Sequence, residues 1–130
     1  MDETGDFRPK QIGIVGPCTA GKSTLIRRLD GVFNAQFRHI AQEHSYVQDM
    51  WQRINCPDWL IFLDVSYPMS FKRREYFNWT LEEYQEQQRR LKHAHDHADL
   101  YLMTDPYTAA EVAEKVAAFL TSLGIEHKKY

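Results

Sequence analysis

The sequence predicts an α/β protein, a three-layer α/β/α sandwich around a short, mostly parallel sheet of four to five strands. Short apolar runs alternate with segments of helical periodicity along the whole chain, the pattern of a parallel sheet joined by helical crossovers. The apolar runs lack the polar alternation of half-exposed strands, so helices should cover both faces of the sheet. A hydroxyl residue followed three positions later by Glu or Gln opens several of the helical segments, which is a helix-start signature.

The elements follow in order. Residues 1–9 read as a flexible arm ending at Pro9. Gln11 to Val15 is a short buried strand bounded by Gly16 and Pro17. A helix is expected from about Lys22 to Asp30, with Leu25, Ile26 and Leu29 on one face and Gly31 as its stop. Phe37 to Ala41 is a weaker strand. Ser45 and Gln48 form a capping box for a helix in which Tyr46, Val47, Met50, Trp51 and Ile54 recur at helical spacing, ended by Pro57. Trp59 to Val65 is the strongest strand in the chain. Met69 to Tyr76 is a helix, and Thr80 with Glu83 caps a very polar one running to about Lys92. Ala98 to Met103 is the last strand. Thr108 with Glu111 caps a final helix carrying Val112, Val116, Phe119, Leu120 and Leu123, stopped at Gly124. Right-handed crossovers place every strand's C-terminal end on one edge, where such sheets bind ligands.

Size and charge narrow the function classes. The 130 residues make one domain. With 16 Lys and Arg against 18 Asp and Glu, the formal net charge of −2 leaves no basic footprint for duplex nucleic acid. No apolar run approaches the ~20 residues of a membrane span, so no membrane partner is expected. The first ten residues are acidic and polar, unlike a signal or transit peptide. Cys18 and Cys56 make no disulfide framework, and both are expected reduced, in the cytoplasm.

One motif carries chemistry. Gly16, Pro17, Cys18, Thr19, Ala20, Gly21, Lys22 and Ser23 fit G-x-x-x-x-G-K-[ST] at every position, with Thr24 following. The glycines let the backbone wrap closely around a phosphate chain, and successive N–H groups with the following helix N-terminus point at the anion. Lys22 is expected to reach the β- and γ-phosphates of a nucleoside triphosphate, and the Ser23 hydroxyl to hold Mg²⁺. An apolar strand before the loop and an amphipathic helix after it supply the context the motif requires. The plain alternative is a glycine-rich turn that binds nothing.

The chain resembles the P-loop nucleoside triphosphatases of the small-kinase branch, the group that includes thymidylate and adenylate kinases. The resemblance rests on the loop, on the run from Pro57 through Ser66 followed by Arg73, and on Asp99 to Asp105 with Thr108 and the closing helix. It implies the sandwich fold, ATP with Mg²⁺ as cofactors, and an arginine, here Arg73, over the phosphates or base. Those kinases are usually longer. Here only Gly31 to Pro57 lies between the first helix and the central strand, room for about one strand and one helix. No Asp-Arg-Tyr/Phe triplet and no Asn-Lys-x-Asp guanine motif is present.

Further candidates have a structural alternative each. Glu43 stands at the sheet's C-terminal edge and is expected to take a proton from an acceptor hydroxyl or hold Mg²⁺ through water; otherwise it is a loop glutamate favoured by a helix dipole. Gln42 and His44 flank it as weaker candidates. Asp64 closes four apolar residues and is a candidate Mg²⁺ ligand, or else a cap for the next turn. Arg73, and less so Arg74, is read as stabilising the transferring phosphoryl group, against a solvated helix face. His93 and His97 share a face at zinc-like spacing with no third ligand, so a solvated junction is the better reading. Cys18 lies among N–H donors and is expected to be reactive.

The expected function is an ATP-dependent phosphotransferase in which Lys22, Arg73 and Glu43 are catalytic, residues 16–24 bind the nucleotide, and the acceptor is a small metabolite or nucleotide. The alternatives are a nucleotide-binding module with little turnover, acting as a ligand-gated partner for another protein, and a slow hydrolase.

Overall fold

A computed structural model of the chain describes residues 9–74 and 78–128. The element order is β1 (Lys10–Val15), α1 (Lys22–Leu29), β2 (Ala35–His39), a 3-10 turn (Gln42–His44), α2 (Met50–Ile54), β3 (Trp59–Asp64), α3 (Tyr67–Arg73), α4 (Leu81–Arg90), α5 (Lys92–His97), β4 (Leu100–Met103) and α6 (Ala109–Ser122). The expected arm lies almost wholly outside the described residues.

The four strands pair in parallel in the order β2-β1-β3-β4. Successive strand residues face opposite sides, and both sides are apolar here. Ile12, Ile14, Ile61 and Leu63 pack with Leu25 and Leu29 of α1 and with Val112, Val116 and Leu120 of α6. Leu60, Phe62 and Val15 pack on the other side with Trp51 of α2, Leu91, and Ala94 of α5. Each fully buried aliphatic side chain contributes about 1.5–3 kcal/mol. β3 is thus covered twice, which is why its sequence is a continuous apolar run. The arrangement is α/β and compatible with three layers. Among the described residues, no helix is long and apolar enough to cross a membrane.

The chain leaves β1 toward β2 and then crosses back to β3 on the other side of β1. Ligands of open α/β sheets bind at such a reversal, beyond the C-terminal ends of the strands. Residues 16–21 leave β1 at that point.

Two of the three capping boxes form as read. Thr80 Oγ1 accepts from the Glu83 amide at 3.1 Å, and the Glu83 carboxylate accepts from the Thr80 amide at 3.1 Å. Thr108 and Glu111 reciprocate in the same way at the start of α6. The Ser45–Gln48 box does not form. Ser45 Oγ accepts from the Val47 amide at 3.0 Å, which closes a local turn. The Gln48 amide donates to Arg89 O at 2.8 Å, and its carbonyl oxygen accepts from the His93 amide at 3.2 Å. α2 therefore starts only at Met50, and Tyr46, Val47 and Ile54 are exposed rather than buried.

Other boundaries shift for local reasons. β2 comes two residues earlier than expected. α3 starts at Tyr67, because Ser66 Oγ accepts from the Met69 amide and Pro68 suits the first turn. The expected end of that helix, Glu75 and Tyr76, lies outside the described residues. The polar helix, α4, ends at Arg90, and the stretch expected as a solvated junction forms a further helix, α5, after the fully buried Leu91.

Gln42 is the polar knot of this region. Its amide donates to Val47 O at 2.8 Å and Arg90 O at 3.2 Å, and its carbonyl oxygen accepts from the Trp51 amide at 2.8 Å. It is fully buried, so Gln42→Ala should leave backbone groups unpaired in the interior. A loss of about 3 kcal/mol in urea unfolding is expected.

Candidate functional site

The loop after β1 is shaped by two glycines used differently. Gly16 has φ +151°, and a Cβ there would stand 1.9 Å from the Leu63 carbonyl oxygen, so the position excludes a side chain by contact. Gly21 has φ +97° and open space around a built Cβ, so there the demand is purely conformational. It is the N-cap of α1. Between them Thr19 sits at φ 69°, a left-handed conformation that strains a β-branched residue.

Lys22 is the first residue of α1, and its side chain turns back under the loop. Its ammonium donates to Gly16 O at 2.5 Å, Pro17 O at 3.0 Å and Glu43 Oε2 at 3.1 Å. The ion pair is buried, with side chains 5% and 4% exposed. Glu43 comes from the 3-10 turn beyond β2, at the sheet edge the sequence pointed to. Its other oxygen, Oε1, and Thr19 Oγ1 are buried and find no hydrogen-bond partner among the described residues. Leaving such a group unpaired costs about 1–3 kcal/mol, more for a charged one, and marks a position built for another donor or a cation.

Arg73 reaches the loop from the C-terminal turn of α3. Its Nη1 donates to Thr19 O at 2.6 Å and approaches Thr104 Oγ1 at 3.5 Å. Arg73 lines two cavities. One, of about 290 Å³, is lined by Gly21, Thr24, Arg73, Thr104, Tyr107 and Val112 among others. The other, of about 520 Å³, is lined by Lys22, Ser23, His39, Glu43, His44 and both Arg73 and Arg74. Glu43 balances Lys22, and the arginines leave that wall net positive. Burial pushes the His39 imidazole below its ordinary pKa, and the Lys22 ammonium pushes it further, against the opposing pull of Glu43.

The remaining candidates separate. Asp64 lines neither cavity. Its Oδ1 accepts from the Val65 amide at 2.9 Å and from Gln88 Nε2 at 3.1 Å, and its Oδ2 accepts from the Tyr101 hydroxyl at 2.6 Å. It ties β3 to α4 and β4, and burial together with that carboxylate pushes the Tyr101 hydroxyl pKa up. Arg74 lies 4.8 Å from the Trp79 ring centroid. His93 and His97 stack at 4.1 Å, with His93 Nδ1 accepting from the Trp51 indole at 3.1 Å and His97 Nδ1 bonded to His93 O at 2.8 Å. They pack on Trp51.

Several site residues escaped the sequence reading. Gln87 of α4 clamps Cys18: its Oε1 accepts from the Cys18 amide at 2.9 Å, and its Nε2 donates to Cys18 Sγ at 3.1 Å. Nothing distinguishes Gln87 from its polar neighbours along α4. His39 and Thr104 close β2 and follow β4, and their place at the strands' C-terminal edge is the signal that marks them. No protein-family model, no curated protein and no solved structure matches the chain.

Proposed function

We propose that the chain is a Mg·ATP-dependent phosphotransferase of the P-loop kind, working in the cytoplasm on a small metabolite or nucleotide acceptor. The observation that carries this reading is the convergence of Lys22, Glu43 and Arg73, from three separate elements, on one glycine-bounded loop at the start of α1. In this reading residues 16–24 hold the polyphosphate, and the incoming charge draws Lys22 from Glu43 onto the β- and γ-phosphates. Arg73 stabilises charge on the transferring group, and the released Glu43 orients or deprotonates the acceptor. The donor set fits a hard cation, because Ser23 offers an exposed hydroxyl beside Lys22 and Glu43 keeps a buried oxygen without a partner among the described residues. Ser23 would hold Mg²⁺, which supplies charge neutralisation when bound. Asp64, committed to Tyr101, Gln88 and Val65, has no part in this scheme.

Mg·ATP should raise Tm by mass action, about 2.7 kcal/mol of stabilisation at a hundredfold excess over Kd. Labelled ATP with a panel of small acceptors then tests transfer. Saturable ATP binding without transfer to any acceptor would favour a nucleotide-gated binding module, a reading supported by the Lys22–Glu43 pairing that ties base and phosphate binder together. Arg73→Ala should cut turnover roughly 10²-fold, with little change in the ligand-free Tm because the side chain is exposed.

A pH dependence follows from His39. The negative charge of a bound polyphosphate opposes the Lys22 part of that depression and favours the imidazolium directly, so binding takes up a proton. Affinity should therefore strengthen as pH falls through and below the imidazole's ordinary value of 6.5, and His39→Gln should flatten that part of the slope. Titrations of both proteins with the same nucleotide cancel the nucleotide's own ionisation; parallel slopes would sink this assignment.

A further inference from the structure

The mouth of the loop carries a second constellation, in which Glu43 is joined by two side chains that phosphate chemistry does not require. The Cys18 sulfur, one His44 ring nitrogen and one Glu43 carboxylate oxygen all lie within 4.8 Å of one another. Cys18 Sγ stands 3.9 Å from His44 Nε2, which in turn stands 3.6 Å from Glu43 Oε2. A tetrahedral zinc ion, with bonds of ~2.3 Å to sulfur and ~2.0 Å to nitrogen or oxygen, holds its ligand atoms roughly 3.3–3.6 Å apart. Only small side-chain adjustments separate the observed spacing from that geometry, and the His44 side chain, 60% exposed, is free to make them.

We propose that Cys18, His44 and Glu43 form a binding site for a borderline-soft divalent ion of the Zn²⁺ class. The donor set of thiolate, imidazole and carboxylate selects such an ion over Mg²⁺, which takes oxygen ligands. On binding, the Cys18 thiol gives its proton to solvent and the thiolate donates its lone pair to the ion. The thiolate offsets one of the ion's positive charges, and the Glu43 carboxylate is shared between the ion and Lys22.

Two independent features prepare the site. Glu43 is 3% exposed, and of its oxygens one is paired with Lys22 while Oε1 has no partner among the described residues. The carboxylate oxygen nearest His44 is Oε2, so an ion bound there shares it with Lys22, while Oε1 remains for a further bond. Gln87, itself buried, fixes Cys18 from both backbone and side chain, and its amide N–H donates to the sulfur. Outer-sphere hydrogen bonds of this kind orient metal ligands and tune them. Cys18, Glu43 and His44 all line the open cavity of about 520 Å³. A bound ion would occupy ground assigned above to the phosphates. That consequence rests on the nucleotide reading; the metal site does not.

The test uses the full chain and metal alone. Zn²⁺ is titrated against a chromophoric chelator, and Co²⁺ is added in parallel as a spectroscopic substitute. One equivalent of Zn²⁺ should bind, and the Co²⁺ protein should show a sulfur-to-cobalt charge-transfer band. Cys18→Ser and His44→Asn should each weaken binding by at least roughly tenfold and remove or alter that band. Cys56→Ser and His93→Asn should change neither. Absence of binding by the wild-type chain, a cobalt spectrum without the sulfur band, or loss of binding in Cys56→Ser instead of Cys18→Ser would overturn the proposal. The cobalt spectrum of the unmodified protein decides the matter even if a variant fails to fold. Nucleotide binding plays no part in either readout, so a failure here leaves the phosphotransferase reading to its own tests.

Discussion

Lys22→Met should abolish the rise in Tm produced by Mg·ATP and, without any ligand, should also destabilise the protein by about 3–5 kcal/mol. Both effects come from one ammonium group. With nucleotide, the charge that meets the phosphates is gone. Without nucleotide, the carboxylate of Glu43 remains buried with nothing opposite it, since Lys22 is its ion-pair partner at 3.1 Å and both side chains are almost fully covered. The two effects can be separated by a second substitution. Lys22→Met with Glu43→Gln replaces the pair by neutral groups and should recover most of the ligand-free stability, because removing both charges is far less costly than stranding one. It should not recover the ATP response. Urea unfolding reads the first quantity and thermal shift the second. A Lys22→Met protein with a wild-type ATP shift would refute the phosphate-binding role of the loop. A double variant as unstable as the single one would show that the loss lies elsewhere, in the bonds from Lys22 to Gly16 O and Pro17 O.

Gly16→Ala should cost about 2–5 kcal/mol, combining overpacking with backbone strain. The added methyl would meet the Leu63 carbonyl oxygen at 1.9 Å, and that oxygen belongs to a central strand with no room to yield. Gly21→Ala is the matched comparison. It also demands a positive φ, but a Cβ there meets nothing within 4 Å, so only the conformational penalty of about 1 kcal/mol remains. Denaturant midpoints for the two variants should differ clearly, with Gly16→Ala the lower. Equal losses would mean that conformation alone governs both positions and that the contact with β3 is immaterial.

What could be read in advance was what short-range chemistry encodes. Gly16 and Gly21 mark backbone needs that few residues satisfy, so the loop is visible as spelling. Thr80 and Thr108 cap helices through partners three residues away, so their boxes are visible too. β3 shows itself because a strand covered on both faces must be apolar throughout. Ser45 and Gln48 have the same local spelling as the other boxes, yet Gln48 is claimed by Arg89 and His93, far along the chain, and Ser45 settles for a tighter turn. Asp64 has the same difficulty: its partners Gln88 and Tyr101 are remote, and nothing near it foretells them. Glu43 was legible as a position, from the strand edge, while its burial against Lys22 depends on the closure of the sheet. Gln42, a weaker candidate by its place beside Glu43, is occupied by structural bonds to Val47, Arg90 and Trp51 that its neighbours in sequence do not foretell.

The Trp79 indole is buried, donates to Ser70 Oγ at 2.9 Å and lies 4.8 Å from the Arg74 guanidinium. Arg74 in turn lines the larger cavity beside Lys22 and Glu43. The chain therefore carries its own optical probe: indole emission responds to nearby charge, and a charge at the rim of the cavity is held against this ring. With Trp51 and Trp59 replaced by Phe, the remaining indole emission should follow events at the loop in real time, with no modification of the loop residues themselves.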